Sequence, residues 1–326
     1  MKKFKDKKLK GFTFIDLFCG IGGFHLALSS FGAKCVFASD IDQQAIKTYE
    51  QNFKIKVSGD ITKISPKDIP KHDIICAGFP CQSFSISGKK RGLEDPRGQL
   101  YKNVVKIAEY HKPKVIILEN VKNLENHNGG KTLEQIKADF NKIGYVIFSK
   151  VLNASDFEIP QARKRIYMVA FREDYNVKDF EFPQKHKTVT ELNSVLENDP
   201  CEGVFIKNRE DINIYNPLPE IKPNTLNRIG EIGKGRQGER IYSPAGHATT
   251  LSSQGGGVGG KTGMYLINGQ VRKLTPRECA RLMGFPDSFI LSESINTSYC
   301  QFGNSVVVDV LQYIIINIIN ILKGES

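Results

Sequence analysis

The chain has little of what a disulfide-stapled or metal-stapled scaffold needs. Its seven cysteines (Cys19, Cys35, Cys76, Cys81, Cys201, Cys279 and Cys300) are odd in number and widely spaced, with no CxxC pair and no Cys/His cluster at metal-ligand spacing. That argues against structural zinc and points to reduced thiols in a cytoplasmic protein that holds no metal. Carboxylates are also scarce: 35 acidic residues face 46 lysines and arginines among 326 residues, a net charge of +11 spread along the chain. A polyanionic partner is one reading of that excess, and a merely soluble basic protein is the other. Internal repeats and low-complexity tracts are missing. So is a clean membrane span, because Val306–Leu322 carries Asp309, Gln312, Asn317 and Asn320 and reads as a core helix. The basic stretch Lys2–Lys10 ahead of the apolar Phe12–Leu28 imitates a secretory signal. Asp16, Gly20, Gly22, Gly23 and His25 interrupt it and no small-x-small cleavage site follows, so an exposed arm before a first strand is expected.

What the chain does have is an alternation of apolar runs and helical patterns, as in an α/β protein. Phe12–Phe18 reads as a strand, Cys19–Gly23 as a flexible turn and Phe24–Phe31 as a helix, which together make the first half of a nucleotide-binding βαβ unit. Glycines there let backbone N–H groups approach a ligand, and the helix N-terminus favours an anionic group. His25 stands where GxGxxG has its third glycine, which weighs against an NAD or FAD site. The next strand, Lys34–Ser39, ends in Asp40-Ile41-Asp42, where an acid is placed to accept ribose hydroxyls. Val57–Ile61 puts a third acid, Asp60, after another short β-like segment. Either aspartate alone could be a helix cap.

Chemistry is expected after Ile74–Ala77. Pro80 cannot continue a central strand, so the run must stop and present Cys81 in a serine-rich loop, while Cys76 inside the run suits a buried, inert thiol. Lys114–Leu118 is the next strand, ending in Glu119-Asn120-Val121, and a carboxylate there is expensive unless paired or used. In Gln161-Ala162-Arg163-Lys164-Arg165 the two arginines alternate, so an extended chain would show both on one face. From about Thr188 to Gly269 the alternation fades. Glycine becomes dense in Gly230–Gly238 and Gly255–Gly260, with Arg228, Lys234, Arg236, Arg240 and Lys261 among them, as in a separate small domain with a basic face.

With these residues in place, the chain resembles the bacterial DNA (cytosine-5) methyltransferases, most closely the HhaI-type enzymes of restriction–modification systems. Five segments carry the resemblance, in the family's order and spacing over essentially the whole chain: Asp16–Gly23, Gly78–Gln82, Glu119–Val121, Gln161–Arg165 and Gln301–Ser305. It implies a doubly wound, Rossmann-like, S-adenosylmethionine-dependent methyltransferase domain (residues 1–188 plus 276–326) and a smaller target-recognition domain (189–275). Phe18, Gly20, Ile21, Gly23, Asp40, Ile41, Asp60, Ile61, Pro80, Leu100, Asn304, Ser305 and Val306 would hold S-adenosylmethionine. Cys81 would be the nucleophile, with Glu119, Arg163 and Arg165 completing the catalytic set. Ser85, Ser87, Gln237, Arg240, Thr250, Gln254, Gly256 and Gly257 would contact duplex DNA around a flipped cytosine, with Arg240 reading guanine. Ile41 departs from an aromatic and Gln254 from a tyrosine; GCGC is the target the resemblance suggests. It further implies a monomer that forms no stable complex with the restriction endonuclease acting at the same site, and no membrane partner. A cytosine-5 methyltransferase of RNA, or a catalytically silent DNA-binding relative, are the alternatives.

Overall fold

The computed structural model describes residues 8–80, 100–186, 188–257 and 260–324. These form two compact units: one comprises the described residues within 8–152, 164–184 and 310–324, the other those within 153–163 and 185–309. The first is built on a six-stranded sheet and the second on a five-stranded one.

The six-stranded unit contains β1 (Thr13–Leu17), α1 (Gly23–Ser30), β2 (Lys34–Ser39), α2 (Gln43–Phe53), β3 (Ile74–Ala77), α3 (Tyr101–His111), β4 (Val115–Val121), α4 (Lys131–Lys142), β5 (Tyr145–Asn153) and, after the two-residue β6 (Gln161–Ala162) of the other unit, β7 (Lys164–Arg172). Strand order is β2-β1-β3-β4-β7-β5. β1 pairs parallel with β2 and β3, β3 pairs parallel with β4, and β7 runs antiparallel to β4. β3 is buried at every residue (Ile74, Ile75, Cys76 and Ala77), as a strand covered on both faces must be, which is why it reads as one apolar run and not as an alternation. Ile15, Leu17, Ile75, Ala77, Ile116 and Leu118 form a core with Tyr101, Val104, Ile136 and Phe140 of the helices. Because the chain leaves β1 to one side for β2 and returns on the other for β3, the sheet has a switch point beyond the carboxyl ends of β1 and β3, where ligands of open α/β sheets bind.

The five-stranded unit has β8 (Ile212–Ile214), β9 (Arg228–Ile232), β10 (Arg240–Tyr242), β11 (Ala248–Thr249), β12 (Met264–Ile267), β13 (Gln270–Arg272), α5 (Pro276–Leu282) and α6 (Ile295–Asn304). Its sheet runs β13-β12-β10-β9-β8, around Ile229, Ile232, Ile241, Met264 and Val271. β11 pairs instead with β6, through Ala248 with Gln161 and Thr249 with Ala162. Segments 153–163 and 276–309, read from the sequence as parts of the larger domain, pack in this unit because β6 is paired here and α5 is anchored here. The anchor is Arg272, whose guanidinium grips Glu278 of α5 at 2.7 and 2.8 Å with both side chains fully buried.

The last helix, α7 (Val308–Lys323), begins at Val308, and α6 runs to Asn304. Ser305 therefore terminates α6. Val310, Leu311, Ile314, Ile315, Ile318 and Ile319 of α7 are buried. Two of its polar residues are used within the six-stranded unit: Gln312 donates to the Ser30 hydroxyl (2.9 Å) and Asn317 to the Glu181 carbonyl (2.7 Å).

Candidate active site

β1, β2, β3 and β4 are mutually parallel, so Phe18, Asp40, Gly78 and the Glu119-Asn120 pair all lie at one edge of the sheet. Beyond β1 the chain turns sharply. Phe18 takes a left-handed φ of 54°, rare for a bulky side chain, followed by Gly20 at 52° and Gly22 at 87°. Gly22 precedes α1 and offers no side chain to cap it. A Cβ on Gly22 would lie 2.1 Å from the Phe53 ring, whereas one on Gly20 would meet nothing within 4 Å. The turn is thus packed tightly beneath and open above. Asp40 fixes it from β2, accepting the Gly20 N–H at 2.8 Å on one oxygen and the Asp42 N–H at 2.9 Å on the other. Ile41 beside it is 72% exposed.

Asp60 follows Ser58, which bridges to Ser39, and accepts from the Thr62 hydroxyl (2.7 Å) and N–H (3.0 Å), bonds that hold its carboxyl below the usual range. Ile61 behind it is buried, and Leu100 sits at the N-terminus of α3. Backbone donors, acceptor carboxylates and one exposed apolar side chain along a single sheet edge suit a ligand with an anionic group, hydroxyls and a flat apolar part.

Under this turn lies a cluster that sequence reading did not single out. Asp16 is fully buried in β1, and among the described residues neither of its oxygens meets a hydrogen-bond partner. Burial, reinforced by nearby Asp40, pushes its pKa well up. His25 stacks on Phe53 (ring centroids 3.9 Å) and shares a 2.7 Å hydrogen bond with the Tyr49 hydroxyl. Burial lowers its pKa to about 4. The available signal was a charged residue inside an otherwise apolar strand.

Glu119 and Arg165 are brought together by register. Val121 of β4 faces Arg165 of antiparallel β7, so Glu119, two residues back on the same face, is its diagonal neighbour. Arg165 Nε lies 3.2 Å from Glu119 Oε1 with both side chains largely buried. Next to it, the Asn120 amide donates to the Phe79 carbonyl at 3.1 Å, tying the end of β4 to the segment that leads into Pro80. Cys81, Ser85 and Ser87 lie outside the described residues.

Arg163 has a different place. A one-residue break separates β6 from β7, marked by a tight turn in which the Arg163 N–H bonds the Gln161 carbonyl (2.9 Å), so the alternation stops there. In the five-stranded unit Arg163 is 2% exposed, and its guanidinium donates to three carbonyls: Leu251 (3.1 Å), Gly303 (3.1 Å) and Ser305 (2.7 Å). The same unit holds the two glycine-rich loops. A Cβ on Gly238 would lie 2.2 Å from the Gly260 carbonyl oxygen and 2.5 Å from that of Gly257, so the loops touch backbone to backbone and only glycine fits. Gln237 and Gln254 are exposed, Gly256 is half-buried and Gly257 buried. Arg240 reaches the Gly235 carbonyl at 3.4 Å, and the Thr250 hydroxyl donates to Ala162. Asn304 is exposed, while Ser305 and Val306 are buried.

Comparison with known proteins decides the family. The profile described as "C-5 cytosine-specific DNA methylase" matches residues 12–320. The chain belongs to that family. It is 51% identical to the type II methyltransferase M.HhaI of Haemophilus parahaemolyticus, over 98% of this chain and 97% of that one. With M.HaeII of Haemophilus aegyptius it shares 42%, over 97% and 95%. Among solved structures, the Entamoeba histolytica methyltransferase EhMeth has a TM-score of 0.74 at 22% identity, covering 97% of this chain and 99% of that one. The Schizosaccharomyces pombe Dnmt2 methyltransferase gives 0.69 at 24%, covering 95% and 98%; at these identities both speak for the fold alone. This DNA methylase is therefore a DNA cytosine-5 methyltransferase of the type II, restriction–modification kind, acting on DNA with a methyl donor. Its methyltransferase fold is the Rossmann-like α/β architecture expected from the sequence.

Proposed function

We propose that this enzyme methylates C5 of a flipped cytosine in a short duplex site through a transient Cys81–C6 bond, with S-adenosylmethionine as donor. The observation that carries the reading is the Glu119–Arg165 pair at the end of β4, one strand over from the segment that continues through Pro80 into Cys81. The donor site is supported by the open Gly20 turn, the two-oxygen brace of Asp40 and the buried Asp16 carboxyl beneath. Phe18, Gly20, Ile21, Gly23, Asp40, Ile41, Asp60, Ile61, Pro80 and Leu100 would contact it, and Asn304–Val306 are assigned to the same ligand by family resemblance. Bound, it supplies an electrophilic methyl group on a sulfonium.

Cytosine C5 is too poor a nucleophile to react unaided. The Cys81 thiolate adds to C6 and the ring electrons move to C5, making it enamine-like. Glu119 hydrogen-bonds N3 and the exocyclic amine, and Arg165, held on Glu119, steadies the base and favours the thiolate. After C5 is methylated, a base takes its proton, the electron pair re-forms the C5–C6 double bond and the Cys81 sulfur departs. Residues 189–275 read the target, with Arg240 on guanine and Ser87 and Gln237 entering the space left by the flipped base; GCGC is the proposed site. The protein works as a cytoplasmic monomer, and the endonuclease of the pair cuts the same site without binding the methyltransferase.

Bisulfite sequencing of plasmid DNA after expression tests this. Protected cytosines should fall at one position of one short sequence, and Cys81→Ser should abolish them while duplex binding persists. Methylation by the serine variant would remove Cys81 as nucleophile, and protection at a different sequence would remove GCGC.

A further inference from the structure

A bulge in β9 turns Arg228 toward an acid on the sheet face that carries Arg240. β9 pairs with β10 through Glu231 with Arg240 and Gly230 with Ile241, then skips Ile229 and pairs Arg228 with Tyr242. In a regular strand Arg228 and Glu231, three residues apart, would point to opposite faces. The skipped residue puts both on the face of Arg240 and leaves Ile229, Ile232 and Ile241 to the core.

On that face Arg228 Nη2 pairs with Glu231 Oε2, to which the Tyr215 hydroxyl also donates at 3.4 Å. Arg228 Nε is buried and finds no hydrogen-bond partner among the described residues, so the guanidinium is held by one nitrogen and not by a two-pronged fork. A Cβ on Gly235 would lie 2.6 Å from Arg228 Nη2, so the turn between β9 and β10 rests its backbone on the pair. Lys234 and Arg236, on either side of Gly235, are exposed. Glu231 is thus a carboxylate set among cations, directly across from Arg240. Stability does not account for it. The Arg228 and Glu231 side chains are 34% and 27% exposed, and an ion pair that solvent reaches adds little to a fold.

We propose that Glu231 is a positioning residue that withholds Arg228 from the DNA backbone, and so sets how tightly the enzyme holds DNA of any sequence while leaving the choice of sequence to Arg240. The inference rests on the reading above, which puts residues 189–275 on DNA with Arg240 on guanine. A guanidinium tied to a carboxylate displaces no counterion from a phosphate, so binding to every duplex is weaker and less salt-dependent than the basic face alone would make it. With one phosphate contact fewer, the enzyme leaves each stretch of DNA sooner as it searches.

The test measures duplex binding by the full-length enzyme between about 50 and 200 mM salt. One duplex carries the methylated sequence found by bisulfite sequencing, and a second has one base pair of that sequence changed. Glu231→Gln keeps the shape and an acceptor oxygen but not the charge. It should tighten binding to both duplexes by the same factor, and that factor should grow about three-fold as salt falls across this range, as one added phosphate contact requires. Arg228→Gln alone should not flatten the salt dependence, because its guanidinium holds no phosphate in the wild type. Arg228→Gln combined with Glu231→Gln should lose the salt-dependent gain. A gain that survives in the double variant is relief of repulsion alone and overturns the inference, as does Glu231→Gln with wild-type salt dependence or with a gain confined to the target. Arg240→Ala tests the underlying reading: it should cut the preference for the target duplex by about five-fold or more at every salt concentration. If it keeps the preference, the reading of this face falls and the inference with it, whereas a lost preference beside an unchanged Glu231→Gln removes the inference alone.

Discussion

The glycine turn after β1 predicts two different failures from two similar substitutions. Gly22→Ala meets two costs: a left-handed φ of 87°, which takes about 1–2 kcal/mol from a residue with a Cβ, and a methyl 2.1 Å from the Phe53 ring. That ring is itself stacked on His25 at 3.9 Å, so it cannot move alone. Overpacking of this kind costs about 1–3 kcal/mol, and together the two give roughly 2–5 kcal/mol. Gly20→Ala meets only the backbone cost at φ 52°, since its Cβ has nothing within 4 Å. That empty side is where the donor is proposed to bind, so Gly20→Ala should fold almost normally and lose donor affinity by about ten-fold or more, worth at least 1.4 kcal/mol. Urea unfolding and calorimetric titration with S-adenosylhomocysteine separate the two. Phe53→Leu should partly restore the stability of Gly22→Ala by making room beneath the turn. Equal unfolding midpoints for the two alanine variants, or unchanged affinity in Gly20→Ala, would refute this account of the turn.

Asp16→Asn should stabilise the ligand-free protein near neutral pH. The native carboxyl is pushed well up by burial, so as pH rises above the usual carboxylate range the unfolded chain loses a proton that the native one retains, and wild-type stability falls by up to about 1.4 kcal/mol per pH unit. The gain of Asp16→Asn should therefore grow with pH in urea midpoints taken between pH 5 and 8; a pH-independent loss would contradict it. His25 and His72 work in the opposite sense: both are lowered to about 4 by burial, so stability is lost as pH falls from 6.5 to about 4 while the unfolded histidines take up protons. That acid-side loss should steepen in Asp16→Asn, where the opposing carboxyl is gone, and an unchanged slope would count against the assignment. Arg272→Met, which strands the Glu278 carboxylate with both side chains buried, should cost about 3–5 kcal/mol by urea unfolding. Arg272→Met combined with Glu278→Gln should recover part of that, since the amide oxygen can still accept the Thr275 N–H now bound at 2.8 Å.

Sequence reading reached furthest where one local rule governs. The strands Lys34–Ser39 and Ile74–Ala77 were read at their observed bounds because both are short apolar runs closed by turn residues. Glu119 was legible as a costly acid at a strand end, but its pairing with Arg165 depends on β7 running antiparallel to β4, which no local pattern encodes. The arginine alternation was misleading for Arg163: a one-residue break at the β6–β7 junction, forced by pairing of β6 with the distant β11, ends the extended run on which it relied. The same long-range pairing, with the buried Arg272–Glu278 ion pair, places segments 153–163 and 276–309 in the five-stranded unit, where composition alone showed only the change near Thr188. Asp16 stood in plain view in an apolar strand, yet only the packed fold shows both of its oxygens sealed from water.

The proposed Cys81–C6 bond is tested most directly by trapping. A duplex with 5-fluorocytosine at the target position has no C5 proton to lose, so the adduct cannot break down once the methyl group has been transferred. Incubated with S-adenosylmethionine, the wild type should form a denaturant-stable complex with that duplex, dependent on the donor and absent in Cys81→Ser. A trapped complex in the serine variant, or none in a wild type that methylates the ordinary duplex, would contradict the account.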